Sequence, residues 1–255
     1  SQSMRQSEIR VAFLPELAGD VSNCVCIVID ALRATTVITT LFERGCPCVY
    51  VAPSHPLAES FARANGYVLC GETNGVKAEG FDYGNSATEF SRLDFTERPV
   101  VLSTSNGTKA TAAVANAKRT YLGSALNRTA VAQAAWEAAN AEEADVVIVC
   151  SGTNGTFTLE DATVAGLYVE ALVAMGTAWT MPSLSDSAVA ARRLWQSEPN
   201  LLRGWMEGRH AQHLGDIGFG EDIGFSATID NSGTVPTLVT EETKTSVDCP
   251  TILVA

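Results

Sequence analysis

Cys26-Ile27-Val28-Ile29-Asp30-Ala31-Leu32-Arg33-Ala34-Thr35-Thr36 opens the argument. The apolar run from Val25 to Ile29 ends on a carboxylate, and a basic residue follows three positions later. Such a run reads as a strand buried on both faces, as in a parallel sheet. Val37, Ile38, Leu41 and Phe42 then share one face of a helix that Gly45 stops. Asp30 therefore stands at the carboxyl end of a strand, with Arg33, Ala34, Thr35 and Thr36 over a helix amino end. Open α/β sheets bind ligands at that edge, and helix amino ends favour anions. The pattern suggests a metal-plus-phosphate site. The same residues would also serve as a helix cap, with Arg33 paired to Asp30.

Outward from this stretch, strands and helices alternate, the signature of an α/β fold. Strands are expected at 9–13, 48–52, 67–70, 100–103, 120–122, 145–150 and 235–240, with a last edge strand at 251–254. Helices are expected at 56–64, 106–117, 127–139 and 159–175, with Asn127 a candidate cap. Gly71 to Ser86 reads as a long polar loop, ordered by Phe81 and Tyr83, and loops of that length are often functional. Residues 183–214 read as an outer helical subdomain, 215–230 as an acidic, glycine-containing segment, and 4–255 as one domain. Ser1-Gln2-Ser3, ahead of Met4, reads as a remnant before the natural start.

The net charge of the 255 residues is −12, and 46% of them are hydrophobic. A basic stripe is absent, so neither nucleic acid nor an anionic membrane is an expected partner. No apolar run reaches a membrane span. The seven cysteines are odd in number and form no C-x-x-C pair. Reduced, mostly buried thiols in a cytoplasmic protein are the expectation, and three histidines give little support to zinc.

Two segments share one design. Val100-Val101-Leu102-Ser103-Thr104-Ser105-Asn106-Gly107-Thr108 is echoed by Val147-Ile148-Val149-Cys150-Ser151-Gly152-Thr153-Asn154-Gly155-Thr156. Each reads as a strand, then small hydroxyl-bearing residues, then Asn-Gly-Thr ahead of a helix, and both are expected to face the site. The nucleotide P-loop and dinucleotide fingerprints are absent. So are a cysteine with an arginine six positions on and a second aspartate two residues after Asp30. Magnesium-assisted attack by water, or Asp30 as nucleophile, remains. Oxygen ligands for magnesium are available at Asp30, Glu72, Glu79, Asp82, Glu160 and Asp161. Glu160 and Asp161 could instead balance a helix dipole. Glu221 and Asp222 either close the site from elsewhere or are solvated. Arg33, Lys77 and Lys109 are the cations best placed for an anionic substrate.

Together Ile29-Asp30-Ala31-Leu32-Arg33-Ala34-Thr35-Thr36, Gly71-Glu72, Gly80-Phe81-Asp82-Tyr83-Gly84-Asn85-Ser86, Ser103 to Thr108, Cys150-Ser151-Gly152, Leu159-Glu160-Asp161 and Glu221 to Phe225 resemble the 2-phosphosulfolactate phosphatase (ComB-like) family. The resemblance covers nearly the whole chain. It implies a layered α/β/α fold with a largely parallel or mixed sheet. It also implies Mg2+-dependent hydrolysis of 2-phospho-3-sulfolactate to 3-sulfolactate and phosphate, a step toward coenzyme M. On this reading Asp30, Glu72 and Asp161 hold or orient the metal. Asp30, Arg33 and Glu160 are the catalytic candidates, with Glu160 or Asp82 positioning water. Arg33, Thr35, Thr36, Asn85, Ser86, Asn106, Gly107, Thr108, Lys109, Gly152 and Thr153 are the candidates for binding the substrate, a small anionic phosphate ester. A homodimer is the default assembly. Thr73-Asn74 stands where the family is expected to show arginine and glycine. That departure leaves open another small acidic ester, or an anion-binding module without catalysis.

Overall fold

The central strand forms where the apolar run demands it. In the computed structural model, which describes residues 6–177, 179–239 and 251–254, β2 spans Cys24–Ile29 and every residue of it is buried. Strand β1 (Glu8–Ala12) precedes it. After it come α1 (Ala34–Glu43), β3 (Val49–Ala52), α2 (His55–Asn65), β4 (Val68–Thr73), β5 (Val76–Lys77), α3 (Ala87–Phe90), β6 (Val100–Ser103) and α4 (Ser105–Ala113). The chain continues through β7 (Arg119–Gly123), α5 (Arg128–Glu142), β8 (Asp145–Cys150), α6 (Leu159–Met175), β9 (Ser183–Leu184) and α7 (Asp186–Ser197). It ends with α8 (Leu201–Trp205), α9 (Arg209–Asp216), α10 (Gly220–Ser226), β10 (Thr237–Leu238) and β11 (Thr251–Val254). Residues 1–5, with the expected remnant, lie outside the described residues, as do Thr240 and Cys249.

The strands join in the order β5-β4-β6-β3-β11-β10-β7-β2-β8-β1-β9. Strands β4, β6 and β3 form one parallel block, and β7, β2, β8, β1 and β9 form another. Antiparallel β10 and β11 stitch them together, so the blocks run in opposite senses along the ladder. The expected edge strand 251–254 therefore lies inside the sheet. Its neighbours are β3 and β10, a long-range pairing that no local pattern encodes.

Side-chain alternation sorts the strands between three apolar cores. Val25, Ile27 and Ile29 pack with α5, α6 and α7 on the outer face of one block. Leu69 and Val101 pack with Ala58 and Ala62 of α2 outside the other. Cys26, Val28, Val51, Cys70 and Leu102 share a middle core with Val37, Ile38 and Leu41 of α1. The chain is thus a layered α/β fold with helices outside and between two strand blocks. Ala188, Ala191, Leu201, Trp205, Ala211 and Leu214, from residues 183–214, belong to the first of these cores.

Several local expectations change in the folded chain. Gly71 to Ser86 is only partly loop, because β4 runs on to Thr73 and turns back as β5. Asn74 and Gly75 both take positive φ, 53° and 87°, the geometry of a tight hairpin turn. Asn127 occupies the cap position of α5 without capping it. Its amide oxygen accepts from the Ser124 N–H and hydroxyl instead. The two echoed segments also diverge. Asn106-Gly107 lies within the first turn of α4, capped by Thr104, whereas Asn154-Gly155 is a turn closed by Thr153 and Thr156. Among the described cysteines all six are free, and all but Cys48 are buried. No helix of the described residues is long and apolar enough to cross a membrane.

Candidate active site

The carboxyl ends of β2, β6 and β8 and the β4–β5 hairpin converge on one cavity of about 260 Å³. Asp30, Arg33, Glu72, Asn85, Asn106 and Thr153, all candidates from the sequence, line it. Asn74, Gly75, Thr104, Ser105, Asn154, His210, His213 and Leu214 complete most of the wall. The two Asn-Gly loops meet here, where the Asn154 N–H donates to Asn106 Oδ1 at 3.3 Å. Sheet-order neighbours could not bring them together, since the blocks run in opposite senses. Packing both blocks against the middle core does.

The turn from β2 into α1 is built by its own hydroxyls. Thr35 Oγ1 donates to the Asp30 carbonyl and accepts from the Asp30 N–H. Thr36 Oγ1 donates to the Ala31 carbonyl at 2.7 Å. Both threonines are buried and spent on the backbone, so neither lines the cavity. The Leu32–Arg33 peptide bond is cis.

Arg33 is only 5% exposed. Its Nη2 donates to the Gly75 carbonyl at 2.9 Å, its guanidinium lies over the Phe219 ring, and Nη1 is 3.8 Å from Asp222 Oδ2. Asp222 takes hydrogen bonds from Ser86 Oγ and the Thr88 N–H on its other oxygen. Ser86 thus serves Asp222 and caps α3 rather than lining the cavity. Asp222 is buried, not solvated, and closes the site from behind.

Asp161 is an organiser. Its carboxylate accepts from the Ala31 N–H at 2.9 Å and the Gly152 N–H at 3.1 Å, tying the β2 turn to the β8 loop. Burial raises its pKa, and these hydrogen bonds oppose the rise. Asp30 is raised by burial and then by repulsion from Asp161, against hydrogen bonds from Ser151 and Ala34 and the charge of Arg33. Glu160 is raised by burial and by both aspartates. Glu160 and Asp161 do not line the cavity, and Asp161 acts on Asp30 through charge.

Other candidates are placed elsewhere. Lys109, Lys77, Glu79 and Asp82 are exposed, and Asp82 accepts from the Leu69 N–H. Gly107 donates its N–H to Thr104, and Thr108 Oγ1 donates to the carbonyls of Thr104 and Ser105. Gly152, at φ 68°, supports the loop behind Thr153. The residues missed were chiefly His210 and His213. Their spacing of three puts them on one face of α9, a signal present in the sequence but without meaning until α9 is docked.

Among the described residues no three His, Cys, Asp or Glu side chains are disposed to hold a metal ion. Magnesium needs fewer protein ligands, one or two carboxylates with waters and phosphate oxygens. Asp30 and Glu72, both on the cavity wall, fit that need. The crowding of Asp30, Asp161 and Glu160 is also what a cation would relieve.

A family model described as 2-phosphosulpholactate phosphatase matches residues 12–241. A relative from Pseudothermotoga lettingae, named "Probable 2-phosphosulfolactate phosphatase", is 36% identical over 91% of this chain and 96% of its own. Proteins of the same name from Caldanaerobacter subterraneus subsp. tengcongensis and Thermus thermophilus are each 36% identical. They cover 87% and 84% of this chain, and 90% and 87% of their own. Matched over nearly its whole length, the chain belongs to the 2-phosphosulpholactate phosphatase family.

Proposed function

We propose that the protein hydrolyses 2-phospho-3-sulfolactate to 3-sulfolactate and inorganic phosphate, with Mg2+ as cofactor. Family membership supports the reaction class. The observation that carries the reading is Arg33: a buried guanidinium on the wall of the same cavity as Asp30. A buried cation on the wall of a polar cavity favours an anion.

Arg33 attracts the phosphate oxygens through its guanidinium charge. Ser105, Asn106, Thr153 and Asn154 offer neutral hydrogen bonds to the remaining polar groups of the ester. Asp30 and Glu72 are the residues that would hold magnesium, which when bound neutralises phosphate charge and lowers the pKa of water. Asp161 keeps the two loops in register, so that Asp30 and Thr153 face each other across the site. Water supplies the oxygen for phosphate, and the ester oxygen leaves as the hydroxyl of sulfolactate. The buried free thiols support a reducing compartment, the cytoplasm.

Phosphate release from racemic 2-phospho-3-sulfolactate, with and without Mg2+ and beside a panel of phosphorylated hydroxy acids, tests this reading. Magnesium-dependent release that favours phosphosulfolactate is the expected result. Preference for another ester would keep the site and replace the substrate. Absence of release from every ester would overturn the hydrolase reading.

A further inference from the structure

We propose that His210 is a positioning residue for Arg33, an inference that rests on the anion-binding role given to Arg33 above. Three successive carbonyls in the β2–α1 turn each have a side-chain donor. Asp30 O takes Thr35 Oγ1, Ala31 O takes Thr36 Oγ1, and Leu32 O takes His210 Nε2 at 2.8 Å. The first two donors come from the turn itself. The third comes from α9, 178 residues away in sequence. A buried carbonyl needs a donor, and this one belongs to the peptide that leads directly into Arg33.

The same segment also holds the other end of the residue. Phe219 lies 4.8 Å from the guanidinium carbon and Asp222 sits 3.8 Å from Nη1. Residues 210–222 thus grip Arg33 at its peptide, its π face and its charge. A carbonyl only accepts, so Nε2 carries the proton. Burial lowers the proton affinity of the ring, with Arg33 adding to that effect against the Leu32 bond, which keeps His210 neutral. It acts as a fixed donor, not as a second cation in the cavity.

The test compares His210→Ala and His210→Gln, the latter having an amide N–H able to reach the Leu32 carbonyl. Steady-state kinetics with 2-phospho-3-sulfolactate, calorimetric affinity for inorganic phosphate, and melting temperature are read together. His210→Ala is expected to lose about tenfold to a hundredfold in both kcat/KM and phosphate affinity, the scale of a small misplacement of a binding group. His210→Gln is expected to recover most of both, with an unchanged pH profile and magnesium requirement. If His210→Ala does not fold, recovery in His210→Gln alone supports the proposal. Phosphate affinity unchanged in a folded His210→Ala would overturn it. So would a folded His210→Gln as impaired as His210→Ala, which would assign the chemistry to the imidazole itself. Wild-type protein that binds phosphate but hydrolyses no ester removes the hydrolase reading. Phosphate affinity in the variants then still decides the role of His210. Wild-type protein that binds no phosphate overturns both.

Discussion

Arg33 Nη1 and Asp222 Oδ2 stand 3.8 Å apart, each buried and neither with a hydrogen-bond partner. They are an ion pair by charge but not by contact. Asp222 balances the guanidinium charge without a hydrogen bond to it. Breaking a buried pair on one side strands the other charge. Asp222→Ala also removes the acceptor for Ser86 and Thr88. We expect it to destabilise the protein by about 3 kcal/mol. Denaturant unfolding of Asp222→Ala, Arg33→Met and the double variant checks this. The double variant should cost clearly less than the sum of the singles.

Asp30→Asn separates catalysis from stability. Turnover should fall by about a hundredfold or more, as for loss of a group acting directly in the reaction. Folding should not suffer, because the substitution removes a buried charge repelled by Asp161. Turnover near that of wild type would remove Asp30 from the chemistry.

Asp161→Asn should behave in the opposite way. An amide cannot match the two oxygens that accept from Ala31 and Gly152, and a buried N–H left without an acceptor costs about 1–3 kcal/mol. Thermal melts should rank Asp161→Asn well below Asp30→Asn. Equal melting temperatures would show that Asp161 does not tie the two loops.

Stability of the metal-free protein should fall as pH rises. Asp161 is raised to about 6 by burial, and Asp30 and Glu160 to about 7 and 8 by burial and then by repulsion from Asp161. The folded state therefore holds more protons than the unfolded state between about pH 4 and about pH 8, and deprotonation in that window favours unfolding. Melting curves in chelator should show this decline. Added Mg2+ should reverse it most at the alkaline end. A pH-independent melting temperature, or one indifferent to Mg2+ at alkaline pH, would count against a cation at Asp30.

Much of this was legible in the residues alone. The run from Val25 to Ile29, ending on Asp30, determined a strand buried on both faces, because only a doubly covered strand can be apolar at every position. The hydroxyls of Thr35 and Thr36 were legible as part of that turn, though their partners proved to be backbone carbonyls rather than phosphate. Strand β8 and helix α6 followed from length and periodicity. Local pattern could not reveal that β11 lies against β3, since that pairing joins residues about two hundred positions apart. Nor could it separate Asn106-Gly107 from Asn154-Gly155, because one dipeptide serves both a helix turn and a tight turn. His210 of α9 gained meaning only when the Leu32 carbonyl came within reach of its ring. The sequence by itself determined which strand end opens onto the cavity. The tertiary structure alone decided which distant side chains hold Arg33 in place, because the donors and charges that satisfy a buried group are chosen by proximity in space.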